Sequence, residues 1–316
     1  MESSVQLDPQ ARSVIDAFAS MNLTPPHLLP IAEARAQFMQ ARAQFVAPAQ
    51  DVASTRDVDI PGPGGPLRVR FYRPLGSRPD ELLPALIYFH GGGWMFGDLD
   101  SHDSLCRAIC NGTPCVVAAV DYRLAPEHKF PAAVEDAFAA IRHIAANSSA
   151  FGIDATRIAA GGDSAGGNLV AVAAIEFRDR GGPQLRLQVL LYPVTDLSMD
   201  SVSYREMGQG YLLTRERMSY FREQYLRSEQ DITDWRASPL KARDLSNLPE
   251  ALVVTASHDP LVDEGRSYAE RLRSAGISVE YRCYDGAIHG FLTMAGAIDA
   301  GKVGTSQIVE ALRRSL

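Results

Sequence analysis

From residue 54 onward, short apolar runs alternate with longer stretches whose apolar residues recur at helical spacing. The first two runs, 55–60 and 67–72, alternate apolar and polar residues around a Pro/Gly-rich turn, which predicts an antiparallel pair of strands. Mostly apolar runs separated by helical patterns predict a parallel sheet covered on both faces. The later predicted strands are 85–89, 115–120, 157–160, 187–192, 251–256 and 279–284, and the predicted helices are 101–110, 131–146, 164–178, 263–275 and 303–316.

Two regions do not follow this alternation. Residues 1–50 predict two helices outside any sheet, the second over 32–47, between Pro30 and Pro48. The interval 197–236 has no strand pattern but is rich in aromatic residues, which favours a helical insertion over the sheet. A long connection with one core-packed helix is the alternative.

Composition and charge narrow the classes of function. The 316 residues carry a net charge of −7 at pH 7 with neutral histidine, a poor match for a nucleic-acid backbone. No apolar segment is long enough to span a membrane, and the polar residues 1–10 lack the features of a secretory signal. These features predict a cytoplasmic protein. Its four cysteines are expected to be reduced thiols, with a disulfide or a zinc site as the minor alternative: Cys106, Cys110, Cys115 and Cys283.

A Gly-x-Ser-x-Gly pattern lies at residues 162–166, between a predicted strand and a predicted helix. Small residues on either side of Ser164 allow a tight strand-to-helix turn that leaves the hydroxyl exposed. This position favours a nucleophilic serine. A glycine-rich turn with a solvated serine is the alternative.

The run His90-Gly91-Gly92-Gly93 directly follows the predicted strand 85–89. Three glycines let the main chain approach a ligand closely and direct N–H groups towards it. Acyl transfer needs such donors for the oxyanion of its tetrahedral intermediate, and the N–H of Ala165, next to Ser164, can supply another. A loop that serves packing alone is the alternative.

A serine hydroxyl needs a base, and the base needs an orienting acid. Where a Gly-x-Ser-x-Gly turn joins a strand of a parallel sheet to a helix, the three residues follow in the chain order serine, acid, histidine. This order leaves two histidines downstream of Ser164 as candidates for the base. His289 follows the last predicted strand, and Asp259 follows the strand 251–256, so these two are favoured. The alternatives are His258 for the base and Asp263 or Glu264 for the acid, the latter two being expected in the first turn of the next helix.

Together these motifs resemble the hormone-sensitive-lipase-like α/β-hydrolases, the bacterial family IV esterases. The resemblance covers about residues 54–316 and depends on several motifs in the correct order. They are His90–Trp94, Asp121–Glu127, Phe130–Ala132, Gly162–Gly167, Tyr192-Pro193, Asp259–Leu261 and His289–Phe291. One departure is Ser257, where the family often has an acidic residue.

The resemblance implies an α/β-hydrolase fold, with an eight-stranded, mostly parallel sheet, helices on both faces and a helical cap. Residues 51–316 would form the catalytic domain, and residues 1–50 together with the insertion 197–236 would form the cap. The implied site residues are Ser164 as nucleophile, His289 as base, Asp259 as its partner, the N–H groups of Gly92, Gly93 and Ala165 as oxyanion donors, and Trp94 and Tyr192 at the substrate pocket.

The implied reaction is the hydrolysis of short-to-medium acyl esters, with no metal or organic cofactor. Two alternatives remain open: a small-molecule binding protein on the same scaffold, and amidase or peptidase action by the same residues. The resemblance also implies a homodimer, for which the strand 279–284 would offer a pairing surface if it lies at the sheet edge.

Overall fold

One eight-stranded sheet runs through the protein, as a computed structural model covering residues 5–316 describes it. Residues 1–4 of the polar N-terminal stretch lie outside the described range. Within 5–316, no helix has the length and apolar character needed to cross a membrane. The strands are β1 Ser54–Gly62, β2 Gly65–Arg73, β3 Leu83–Phe89, β4 Val116–Val120, β5 Ile153–Asp163, β6 Leu187–Leu191, β7 Glu250–His258 and β8 Val279–Ile288.

The strands are arranged in the order β1-β2-β4-β3-β5-β6-β7-β8. β1 pairs antiparallel with β2, and β2 antiparallel with β4, while every later pairing is parallel. The predicted eight-stranded, mostly parallel sheet is therefore confirmed. The carboxyl ends of β3, β5, β7 and β8 meet at one edge, and β8 is an outer strand.

Helices cover both faces of the sheet, because alternate residues of each buried strand point to opposite sides. Along β3, Ile87 and Phe89 belong to one apolar core, while Leu86 and Tyr88 belong to the other. The α-helices are α1 Pro9–Ser20, α2 Ile31–Ala43, α3 Asp103–Gly112, α4 Ala132–Ala146, α5 Ala165–Arg180, α6 Val202–Glu206, α7 Arg215–Tyr225, α8 Val262–Ser274 and α9 Asp299–Ser315.

The predicted second helix, 32–47, is too long at its C-terminal end. α2 ends at Ala43, and Pro48 is not its terminator. The chain turns after Ala43 and buries Phe45, whose ring lies against Phe18 of α1 with centroids 4.9 Å apart. Burial of this aromatic ring outweighs the continuation of the helical pattern.

The insertion at 197–236 contains two α-helices, α6 and α7, followed by a short 3₁₀ helix, Glu229–Thr233, and no strand. The last residue of α7, Tyr225, stacks on Trp94 with ring centroids 4.1 Å apart and planes 3° from parallel. Phe130 meets the same ring edge-on at 5.8 Å. This aromatic contact fixes α7 against the glycine-rich segment that follows β3.

Replacement of Tyr225 tests this contact. Tyr225→Ala should lower the free energy of unfolding by about 3–5 kcal/mol, because it leaves a cavity beside Trp94. Tyr225→Phe should retain the wild-type value or exceed it slightly, since the buried hydroxyl has no hydrogen-bond partner among the described residues. Urea unfolding of the two variants measures both effects. Equal destabilisation by the two changes would contradict the stacking interpretation.

Candidate active site

Ser164 occupies the single residue between β5 and α5. Its φ of 54° and ψ of −116° form a left-handed conformation that a side chain rarely adopts. The backbone is held there by the Ser164 N–H, which donates to the Leu191 carbonyl at 2.8 Å, and by the Ser164 carbonyl, which accepts from Asn168. The turn directs the Ser164 hydroxyl away from the sheet.

Gly166 allows the first turn of α5 to approach the end of β3. A Cβ added to Gly166 would lie 1.9 Å from the carbonyl oxygen of Phe89. Any side chain would therefore force the helix and the strand apart. The last glycine of the Gly-x-Ser-x-Gly pattern is required by this contact.

The three residues predicted for a catalytic triad are brought together at this edge of the sheet. His289 directly follows β8, and its Nε2 lies 3.0 Å from Ser164 Oγ. Its Nδ1 lies 2.7 Å from Oδ2 of Asp259, which follows β7 and is fully buried. The second carboxylate oxygen of Asp259 accepts from the Leu261 N–H at 2.9 Å, which fixes the carboxylate plane.

The alternative acids are used elsewhere. Asp263 and Glu264 lie in the first turn of α8, as predicted. Asp263 accepts from the Ser203 N–H at 2.8 Å, and Glu264 accepts from the Thr195 N–H at 2.6 Å. Both carboxylates therefore support the chain where it leaves β6 and enters the insertion.

The alternative base, His258, is the buried last residue of β7. Its Nδ1 lies 2.9 Å from Oγ of Ser257, and its ring meets Tyr211 edge-on. Ser257 also accepts from the Gly286 N–H at 2.9 Å. The serine that departs from the family pattern thus joins β7 to the chain before His289.

The glycine run after β3 turns beside Ser164. Gly92 has a φ of 120°, and a Cβ there would lie 2.1 Å from the Phe96 carbonyl oxygen, so the turn needs glycine. The Gly91 N–H donates to Asp163 Oδ1 at 2.8 Å. The N–H groups of Gly92 and Gly93 have no acceptor within residues 5–316, and that of Ala165 is unpaired as the first of α5.

Sequence reasoning missed the role of Asp163, the residue before Ser164. Besides Gly91, the Asp163 carboxylate accepts from the Tyr88 hydroxyl at 2.9 Å and lies 3.0 Å from His102 Nε2. Burial alone would raise the pKa of Asp163, but the positive charge of His102 and the donated hydrogen bonds lower it to about 2. His102, the residue before α3, therefore supports a buried carboxylate.

A second histidine lies beside the same loop. Nδ1 of the buried His90 lies 2.8 Å from the Gly91 carbonyl oxygen. Burial and the neighbouring His102 lower the pKa of His90 to about 4. The neutral ring of His90 stacks on Tyr122 with centroids 4.4 Å apart and so fixes the start of the loop.

A narrow cavity of about 50 Å³ opens above Ser164 and His289. α2 contributes Phe38 and Arg42 to its wall, and α7 contributes Arg217 and Phe221. The remaining lining residues are Gly91, Gly92, Gly93, His102, Asp163, Leu212, Leu213 and Gly290.

Trp94 and Tyr192, the predicted pocket residues, lie behind this wall. Trp94 is fully buried under Tyr225, which takes its ring out of reach of the cavity. Tyr192 packs edge-on against the His289 ring with centroids 4.8 Å apart. It therefore supports the imidazole instead of lining the cavity.

Across residues 5–316, no cluster of three or more His, Cys, Asp or Glu side chains is arranged to hold a metal ion. All four cysteines are free thiols, and Cys106, Cys110 and Cys115 are buried. Burial raises the pKa of the Cys115 thiol. His102, just before α3, contacts Asp163, while Cys106 and Cys110 of α3 lie in the apolar core.

The chain is similar to known ester hydrolases in sequence. The family model described as alpha/beta hydrolase fold matches residues 86–293. The carboxylic ester hydrolase LipN of Mycobacterium tuberculosis is 45% identical, over 88% of this chain and 75% of that protein. The ethyl acetate hydrolase of Pseudomonas putida is 40% identical over 92% of each.

Solved structures are similar along nearly the whole chain. The hyperthermophilic esterase of Pyrobaculum calidifontis has a TM-score of 0.92 and 42% identity, over 98% of both chains. An ester-hydrolase from the metagenome of Lake Arreo has a TM-score of 0.94 and 41% identity, over 98% of this chain and 99% of that one.

Asp163→Asn tests the buried carboxylate. An ionised Asp163 stabilises the fold above its unfolded-state pKa of about 4, and this contribution disappears as the pH falls through about 2. The wild type should exceed the variant by about 2–3 kcal/mol in free energy of unfolding at neutral pH. The difference should shrink between about pH 4 and pH 2.

Urea unfolding at several pH values measures this difference. Asp285→Asn removes the same charge from an exposed site and serves as the control. A difference between wild type and Asp163→Asn that stays constant down to the lowest pH would contradict the assignment.

Proposed function

The chain belongs to the hormone-sensitive-lipase-like (family IV) group of the α/β-hydrolase fold and is a carboxylic-ester hydrolase, and we propose that it hydrolyses short-to-medium acyl esters through a serine acyl-enzyme. The observation that carries the proposal is the hydrogen-bonded line Ser164–His289–Asp259, with separations of 3.0 and 2.7 Å. A hydroxyl, an imidazole and a buried carboxylate in this order form a nucleophile, a base and an orienting group.

The first half-reaction transfers the acyl group to Ser164. The Ser164 oxygen attacks the ester carbonyl carbon while His289 Nε2 takes the hydroxyl proton. Asp259 accepts from Nδ1, which keeps the correct tautomer and stabilises the imidazolium. The intermediate then collapses, the bond to the alcohol oxygen breaks, and His289 returns its proton to the departing alcohol.

The negative charge that develops on the carbonyl oxygen needs donors beside Ser164. We assign this role to the N–H groups of Gly92, Gly93 and Ala165. Gly91 is excluded because its N–H already donates to Asp163. A donor of this kind contributes about 2.7–4 kcal/mol to the transition state. Asp163, His90 and Tyr88 act as positioning residues for the loop.

The second half-reaction releases the acid. Water attacks the acyl carbonyl carbon while His289 takes one of its protons, and the proton then passes to Ser164 as the acyl bond breaks. Both half-reactions use the same donors and the same base. No metal ion or organic cofactor is needed for either step.

We assign α1, α2 and the insertion 197–236 to a cap over the hydrolase domain of residues 51–316. The support is that α2 and α7, which are far apart in the sequence, both line the cavity above Ser164. The ring of Phe221 lies directly over Gly93, where an added Cβ would be 2.4 Å from it. Such a low apolar ceiling favours short-to-medium acyl chains.

Substitution of the two reacting groups tests the mechanism. Ser164→Ala and His289→Asn should each lower kcat for p-nitrophenyl butyrate by at least about a thousandfold, because each removes a member of one catalytic unit. His258→Asn, which changes the other downstream histidine, should leave kcat within a few-fold of wild type. Retention of most activity by Ser164→Ala in a folded protein would refute the proposal.

The ceiling residue offers a test of chain length. Phe221→Ala should move the preferred p-nitrophenyl ester towards longer acyl chains, since it removes the ring above Gly93. Tyr220→Ala changes the adjacent aromatic residue, which is outside the cavity wall, and should leave the optimum unchanged. Initial rates across an acyl-length series measure both. An unshifted optimum in Phe221→Ala would place the acyl chain elsewhere.

A further inference from the structure

Two arginines line the cavity above the reacting groups. Arg42 comes from α2 and Arg217 from α7, so they reach the cavity from two different elements. Within residues 5–316, neither guanidinium forms an ion pair with a carboxylate, whereas most other buried or half-buried arginines do. Two unpaired cations in an otherwise largely apolar cavity need an explanation.

Arg42 has neighbours that account for part of its position. Its Nη2 donates to Thr293 Oγ1 at 3.0 Å, and its guanidinium lies 5.0 Å from the centre of the Phe38 ring. The same nitrogen borders Gly290, next to His289, where a Cβ would be 2.8 Å away. Arg42 therefore braces the His289 loop while one side of its guanidinium faces the cavity.

Arg217 has no comparable neighbours. Its side chain donates no hydrogen bond within the part of the chain that the structure describes, and it is only partly exposed. Burial and the nearby positive charge of Arg42 lower the pKa of Arg217 to about 10. A guanidinium without a hydrogen-bond partner, beside a second positive charge at the same cavity, is suited to bind an anion.

The carboxylates nearest the cavity are already engaged. Asp163 is held by Tyr88, Gly91 and His102, and Asp259 by His289 and Leu261. Neither carboxylate forms an ion pair with Arg42 or Arg217, so both guanidinium groups remain available to a ligand in the cavity. A purely structural role would explain Arg42 but not Arg217.

We propose that the preferred substrate is an ester that carries a carboxylate, which Arg217 binds across the cavity from Arg42. This inference rests on the esterase function proposed above and specifies its substrate class. A guanidinium presents paired N–H donors that match a carboxylate, and such charge-assisted bonds are strong where water is excluded. The carboxylate suits a narrow cavity because it is planar and small.

Matched pairs of esters test the proposal on the wild-type enzyme. For a charge on the acyl side, monomethyl glutarate is compared with its uncharged isostere, methyl 5-methylhexanoate. For a charge on the alcohol side, 4-acetoxybutanoate is compared with 4-methylpentyl acetate. Acid release in a pH-stat gives kcat/KM for each. At least one anionic ester should exceed its isostere by about tenfold or more, equivalent to one strong charged contact.

The same esters assign the effect to Arg217. Arg217→Gln should lower kcat/KM for the favoured anionic ester by about tenfold, mainly through KM, and leave its isostere within about twofold. Arg215→Gln removes an equal charge from an exposed position on the same helix and should change neither ester. This control separates a direct contact between Arg217 and the substrate carboxylate from a general electrostatic effect of the positive charge on α7.

Two results would overturn the proposal. One is a wild-type enzyme that prefers the uncharged ester in both pairs or does not distinguish them. The other is an anion preference that Arg217→Gln leaves intact. In either case, hydrolysis of the uncharged esters that depends on Ser164 would leave the esterase function standing, whereas failure to hydrolyse any ester would count against the function itself.

Discussion

The close approach of the first turn of α5 to the end of β3 is the constraint on which the site depends. Gly166 makes it possible, because any Cβ there would collide with the Phe89 carbonyl. The contact brings the Ser164 hydroxyl, the free N–H of Ala165 and the glycine loop after Phe89 within the reach of one carbonyl group. The strained φ of Ser164 is the local cost, and the hydrogen bond to Leu191 helps to offset it.

Asp163 connects this turn to the loop that faces it. Its carboxylate accepts a hydrogen bond from the Gly91 N–H, whereas the next two N–H groups of the loop have no acceptor among the described residues. The Tyr88 hydroxyl donates to the carboxylate and His102 lies beside it, and these contacts stabilise the buried negative charge. The residue before Ser164 thus holds the start of the glycine loop through the Gly91 N–H.

Much of this arrangement could be predicted from the sequence, because the order of the strands along the chain fixes which residues meet at their carboxyl ends. The sequence predicts Ser164, Asp259 and His289 in this way, and the structure brings their side chains within hydrogen-bond distance. The glycine run alone does not distinguish its three members, and Gly92 and Gly93 are implied only by the resemblance. The bond that occupies the Gly91 N–H comes from Asp163, far away along the chain. Arg42 and Arg217 gave no signal either, because an arginine in an amphipathic helix normally belongs to the solvated face. The end of α2 was misplaced since burial of Phe45 is a tertiary effect.

The cavity walls and the reacting groups come from separate parts of the chain. α2 and α7 form walls of the cavity, while Ser164, Asp259 and His289 directly follow β5, β7 and β8. A substitution at a cavity-lining position such as Phe221 can therefore reshape the cavity without altering the strand ends. In evolution, such a division lets related enzymes diverge in substrate preference while they keep the same chemistry.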